Sequence, residues 1–257
     1  IPAVLAFGAP GPEQQPWLEL LERGALPPAD APGALMAQSD WQRLLDESLA
    51  AGKGDHWLAW WHLGNMRLEN CDVRGAKEAW QTSLARTRTG WTLRNLAVLA
   101  ARATIKVPEG SAKPGQPEPA STEAADLLGQ AWDAGPKIAS LAIEYAWMLV
   151  ATEQNERLFA FAKTLPEAIR NNERLRILSA FAALNVGAMD QVEAIFSQEF
   201  ATIREGEVTL TDIWFGYHER KIALAEKIPM DAALKKRVRK EFPPPQRLDY
   251  RMIQEIV

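Results

Sequence analysis

The sequence predicts an all-α protein: a right-handed α-α superhelix of about four helical hairpins, with flanking helices before them and capping helices after. Three observations carry this. Apolar residues recur at i, i+3 and i+4 along most of the chain, and alternation of the β type is nearly absent. The stretch from Trp57 to Ala101 reads as one complete hairpin and the first helix of the next, with Trp60, Leu63 and Gly64 on one helix face and Ala76, Trp80 and Ser83 on the facing one. The position held by Ala76 returns at Ala124, Leu158 and Val192, at intervals of about 34 residues wherever no insertion intervenes.

In chain order, residues 1–9 form a short apolar arm closed by Pro10, Gly11 and Pro12. Residues 14–23 read as a short amphipathic helix with Trp17, Leu18 and Leu21 on one side, and 25–33 as a rigid proline-containing loop. Ser39 is a suitable N-cap for a helix with Trp41, Leu44, Leu45 and Leu49 as its stripe, ended by Gly52 and Gly54. In the first hairpin Gly64 admits the partner helix closely, and residues 70–72 make the turn. The second hairpin starts at Trp91 and is broken by residues 107–119, where Pro108, Pro114, Pro117 and Pro119 exclude helix. That segment is expected to be an exposed insertion, since loop-closure entropy grows slowly with length. The pattern resumes with Ala124, Leu128, Ala131 and Pro136. A third hairpin is expected from 138–151 and 155–165, and a fourth from 173–185 and 189–202, with Ala180, Val192 and Phe196 in register. Residues 210–226 form a helix with Thr211 as candidate N-cap, 231–242 a basic helix, and Pro243 to Pro245 open a stiff extended tail. The expected organisation is therefore an N-terminal arm with flanking helices (1–54), the repeats with their insertion (55–204), and capping helices with the tail (205–257).

Composition narrows the function classes. Hydrophobic content of 47% and charged content of 24% suit a folded domain. A net charge of −4 argues against a nucleic-acid partner, which selects a basic field. No apolar run approaches the roughly 18 residues of a membrane span. The single cysteine, Cys71, excludes an intramolecular disulfide and fits a reducing, cytoplasmic compartment. The start at Ile1 without a charged leader reads as the beginning of a fragment of a longer polypeptide.

The W-x-x-L-G of Trp60, Leu63 and Gly64, followed by Ala76 and Trp80, resembles the tetratricopeptide repeat; Arg67 stands where that repeat has an aromatic, and Arg88 where it has proline. DHWLAWWHLG (55–64), LTDIWFGYHERKIA (210–223) and KEFPPPQRLDYRM (240–252) together resemble the C-terminal, repeat-bearing half of bacterial proteins with a galactose-mutarotase-like domain of uncharacterised function upstream. Gly216 departs from the acidic residue expected there. The resemblance implies a link to carbohydrate metabolism. It supplies no catalytic residues.

The histidines give no catalytic or metal site: His56 and His62 are six apart and do not share the i, i+4 face of a helical metal site. No nucleophile elbow, phosphate-binding loop or nucleotide fingerprint is present, so neither a cofactor nor an enzymatic activity is expected for this chain, whatever the parent protein does. The residues singled out for a binding groove are Trp57, Trp61, His62, Asn65, Arg94, Glu144 and Arg176, on the first helices of successive hairpins. Their mixed charge fits a protein surface. The reading is a non-catalytic scaffold holding a protein partner or its own upstream domain. The alternative is a carbohydrate-binding or carbohydrate-processing module in which Trp57, Trp60 and Trp61 stack on sugar rings.

Overall fold

The structure, a computed structural model, describes residues 11–103, 122–203 and 209–251. The arm at 1–9 and the insertion at 107–119 lie outside them. Among the described residues there is no strand, and the all-α class holds. The helices are α1 (Gln15–Arg23), α2 (Ser39–Ala50), α3 (Trp57–Glu69), α4 (Val73–Arg86), α5 (Gly90–Ala103), α6 (Thr122–Ala134), α7 (Ala139–Ala151), α8 (Asn155–Thr164), α9 (Glu167–Arg170), α10 (Glu173–Val186), α11 (Met189–Ile195), α12 (Thr209–Glu226) and α13 (Ala232–Glu241), followed by a 3-10 turn at Gln246–Leu248. They fall into two compact units. The first holds the described residues up to 103 together with 126–136, and the second holds 122–125 and the described residues from 137 on.

Three helix pairs, α3/α4, α7/α8 and α10/α11, are joined by the same turn. Each first helix ends on a residue in the left-handed region: Cys71 (φ 63°), Glu153 (φ 57°) and Gly187 (φ 81°). In each, the next amide donates back to a carbonyl five residues earlier: Asp72 to Arg67, Gln154 to Leu149 and Ala188 to Ala183, all at 2.8 Å. This is the Schellman closure, which satisfies carbonyls that a helix end leaves open. Counting from the left-handed residue aligns the hairpins. Seven positions before it stands a small buried residue, Gly64, Ala146 or Ala180; five after it, Ala76, Leu158 or Val192; nine after it, Trp80, Ala162 or Phe196. In α5 and α6 the corresponding Ala97, Ala124 and Leu128 are buried as well. The small residue is a steric requirement where the indole of Trp80 lies against α3. A Cβ on Gly64 would come 2.3 Å from Trp80 Nε1, the atom that donates to Trp61 O at 3.2 Å.

Several local expectations need correction. Helix α1 buries Trp17 and Leu20 and leaves Leu21 57% exposed, so its inward stripe is rotated from the expected one. Trp17 Nε1 donates to Ala34 O (2.9 Å), which fixes the proline-rich loop over the helix. The last hairpin's second helix stops at Ile195, well short of residue 202. Thr211 is not an N-cap. It is buried inside α12, where its hydroxyl donates to Leu248 O (3.0 Å) and receives the Tyr250 amide (3.3 Å). The described part of the tail, up to residue 251, accordingly does not extend away: Leu248 is fully buried and Arg247 donates to Phe196 O. Two departures from the repeat pattern have structural roles. Arg67 pairs with Asp46 of α2 (3.0 Å) and donates to Gly75 O (3.2 Å), and at Gly216 a Cβ would meet the Leu184 side chain at 2.7 Å.

Candidate functional site

Of the seven groove residues expected from sequence, Trp57, Trp61, His62, Asn65 and Arg94 belong to the first unit, and Glu144 and Arg176 to the second. The first helix of the first hairpin is set by a histidine. His56 is the N-cap of α3: its Nδ1 accepts the Ala59 amide (3.4 Å) and its Nε2 contacts Leu26 O (2.9 Å). A carbonyl only accepts, so Nε2 is the donor to Leu26 and Nδ1 the acceptor at the cap.

Of the aromatic cluster Trp57 is buried, and Trp60 and Trp61 are half-buried. Trp57 is 9% exposed and stacks on Trp91 with ring centroids 5.8 Å apart and planes 16° apart. Trp60 donates from Nε1 to Asp55 (2.7 Å), whose carboxylate also receives two bonds from Arg86 (2.8 and 2.9 Å). These bonds, led by that from Arg86, hold the Asp55 carboxyl below its ordinary range. His62 is 2% exposed and is flanked edge-on by Trp17 (4.9 Å) and Trp61 (5.0 Å). Its Nδ1 and the neighbouring Trp61 Nε1 have no hydrogen-bond partner. Burial, with a smaller electrostatic contribution from His56, holds the His62 pKa down at about 4, so the ring is neutral at pH 7.

The polar groove positions differ in how far they are engaged. Asn95 of α5 donates to Asn65 Oδ1 (3.1 Å), while Asn65 donates to Trp61 O (2.8 Å). Arg94 is exposed and Glu144 half-buried. Arg176 points into its own unit: it donates to Gln198 (2.6 Å) and to Glu199 O (3.1 Å) and lies over the Phe200 ring (4.8 Å). Beside it Glu173 receives the Ala201 and Thr202 amides, each at 2.7 Å, and the Thr202 hydroxyl. The hydroxyl bond, then the Ala201 amide, pull the Glu173 carboxyl down to about 2. Arg176 and Glu173 therefore act as a clamp between α10 and the segment after α11.

The C-terminal patch of Trp214, Tyr217 and His218 is a contact of α12 with its neighbours. Tyr217 donates to Glu193 of α11 (2.7 Å), Trp214 to Phe242 O (2.9 Å), and His218 stacks on Phe242 at 4.5 Å. Among the described residues no group of three His, Cys, Asp or Glu side chains could hold a metal ion, and no helix is long and apolar enough to cross a membrane.

One surface feature was not expected from sequence. The C-terminal end of α12 and the loop after it leave Leu224 72%, Ile228 36% and Met230 47% exposed. With Met189, Arg220 and Ala223 they line an open groove of about 270 Å³. Periodicity conceals it: Leu210, Ile213, Tyr217 and Leu224 lie on one helical stripe, which reads as a single core face. The first three are buried, but α11 is only 7 residues long beside the 18 of α12, and Leu224 emerges uncovered. No protein-family model, no curated protein and no solved structure matches the chain.

Proposed function

We propose that the chain is a non-catalytic binding scaffold built from tetratricopeptide-like repeats. It docks a protein partner or another domain of its own polypeptide, in a protein linked to carbohydrate metabolism. The observation that supports this is the shared hairpin register. One turn, one small residue and one set of facing positions are reused, which is how modular repeats stack and present first-helix surfaces to partners. Of the three tryptophans a sugar could stack on, Trp57 is stacked on Trp91 and Trp60 donates to Asp55, which favours packing over sugar contact for these two. A photo-crosslinking residue at Arg94, an exposed first-helix position, should give a discrete protein adduct in cells. The same label at Lys77, an exposed residue of α4, should not.

A second reading, direct carbohydrate contact, rests on Trp147, which is 38% exposed on α7. It expects saturable quenching by a monosaccharide that is lost in Trp147→Ala. Such quenching, or glycosidase, epimerase or phosphatase turnover that vanishes on replacing one histidine or carboxylate, would replace the scaffold reading.

A further inference from the structure

The groove at the end of α12 has features of a built site. Among the described residues eight large apolar side chains are exposed, and three of them, Leu224, Ile228 and Met230, fall within one seven-residue stretch. Clustered apolar exposure marks interaction surfaces, whereas single exposed residues do not, and methionine adapts to varied partners. The groove is open and lined mainly by apolar side chains, which suits one or two bulky apolar side chains presented by a peptide.

Charge identifies what kind of peptide. Arg220 is the one charged residue in the lining, and it makes no hydrogen bond or ion pair with the described residues. Two other arginines of the same helical pair are neutralised, Arg237 by Glu226 (2.7 Å) and Glu241 (3.1 Å) and Arg239 by Glu219 (3.6 Å). Lys227, exposed and adjacent in sequence to the lining residue Ile228, is also without a partner among the described residues. It occupies a left-handed position (φ 55°) at the Schellman end of α12, where Ile228 N bonds Ala223 O (3.2 Å). Glycine is the unstrained residue there, and Lys227 shares the position with Cys71 and Glu153 at the other helix ends.

We infer that this groove docks an acidic amphipathic segment of a protein partner, its apolar side chains seated among Leu224, Ile228, Met230 and Met189 and its carboxylates on Arg220 and Lys227. The lining of this groove shares no residue with the first-helix positions, and the inference stands whether or not the scaffold reading does.

The test is fluorescence anisotropy with the whole chain and a labelled helical peptide of roughly three turns, leucines at i, i+3, i+4 and i+7 and glutamates elsewhere. A second peptide replaces every glutamate with lysine. The glutamate peptide should bind saturably and more weakly as salt rises, and the lysine peptide should not bind. Leu224→Asp and Met230→Asp, at exposed positions, should each weaken binding by at least about tenfold without changing the melting temperature. Arg220→Glu should weaken the glutamate peptide and admit the lysine peptide. Lys227→Gly separates strain from recognition: it should raise the melting temperature while weakening binding. Equal binding of the two peptides, or binding indifferent to Leu224→Asp, overturns the inference. So does a concentration-dependent dimer abolished by Leu224→Asp, which would assign the groove to a second copy. Binding to phosphatidylserine vesicles in place of the peptide would assign it to a membrane surface.

Discussion

His62 is a base that folding keeps neutral. Two indoles flank it, Nδ1 is unpartnered, and the nearest titratable contribution is the unfavourable one of His56. In the unfolded chain it takes a proton near 6.5; in the folded chain it does so only at about 4. Between those values the unfolded state binds more protons, so stability falls as pH drops through this window and levels off below it. The loss is on the order of 3 kcal/mol. Glu173 acts lower: its depressed carboxyl contributes stability that is present above 4.5 and lost as pH falls towards about 2. Urea unfolding at pH 7 and pH 5 should therefore show a drop in the native chain that is largely absent from His62→Phe. An equal drop in both would assign the acid sensitivity elsewhere. At the same scale, Gly64→Ala should lower stability by about 1–3 kcal/mol, read from the urea midpoint, because the added carbon meets the Trp80 ring. An unchanged midpoint would mean that the indole relocates without loss.

The repeated turn is the element that the sequence disguised. Its left-handed position is held by cysteine, glutamate and glycine in turn, so no residue type signals it. The residues around it were legible: Gly64, Ala76 and Trp80 through their spacing, and Ala180, Val192 and Phe196 because the same spacing recurs. Less legible was what depends on neighbours distant in sequence. Thr211 has the chemistry of a cap, and only the returning tail, with Leu248 and Tyr250, makes it a buried strap. Trp57 and Trp61 look alike in sequence, yet one stacks on α5 and the other lies against His62. Groove membership was legible least of all, since Arg176 has the composition of a surface residue and the geometry of an internal clamp. The turn makes its own prediction. Glu153→Gly should raise stability by up to about 1 kcal/mol by relieving the left-handed strain, and Gly187→Ala should lower it by a similar amount. Thermal melts of the two variants check this, and shifts of the same sign would show that the turns are not equivalent.

At the scale of the whole molecule, the two units each carry their own apolar clusters. One joins α1, α2 and α3 around Trp17, Leu45 and Leu63; another joins α10, α11 and α12 around Val192, Phe196 and Ile213. A chain ending at Pro136 retains every described residue of the first unit. It should melt cooperatively with helical circular dichroism, since the burial that stabilises it is internal. A broad, non-cooperative melt would show that the division is not energetic.

Indoles are divided very unequally between these units. Eight of the ten tryptophans are in the first, and only Trp147 and Trp214 in the second. Trp214 sits ten residues before Leu224 along α12, about 15 Å of helix. The intrinsic emission of this protein is therefore weighted towards the first unit, with Trp147 and Trp214 as minor contributors from the second. Events around the first hairpin will colour the whole spectrum, and a partner settling beside Leu224 will leave it almost unchanged, so only a label carried by the partner will report its arrival.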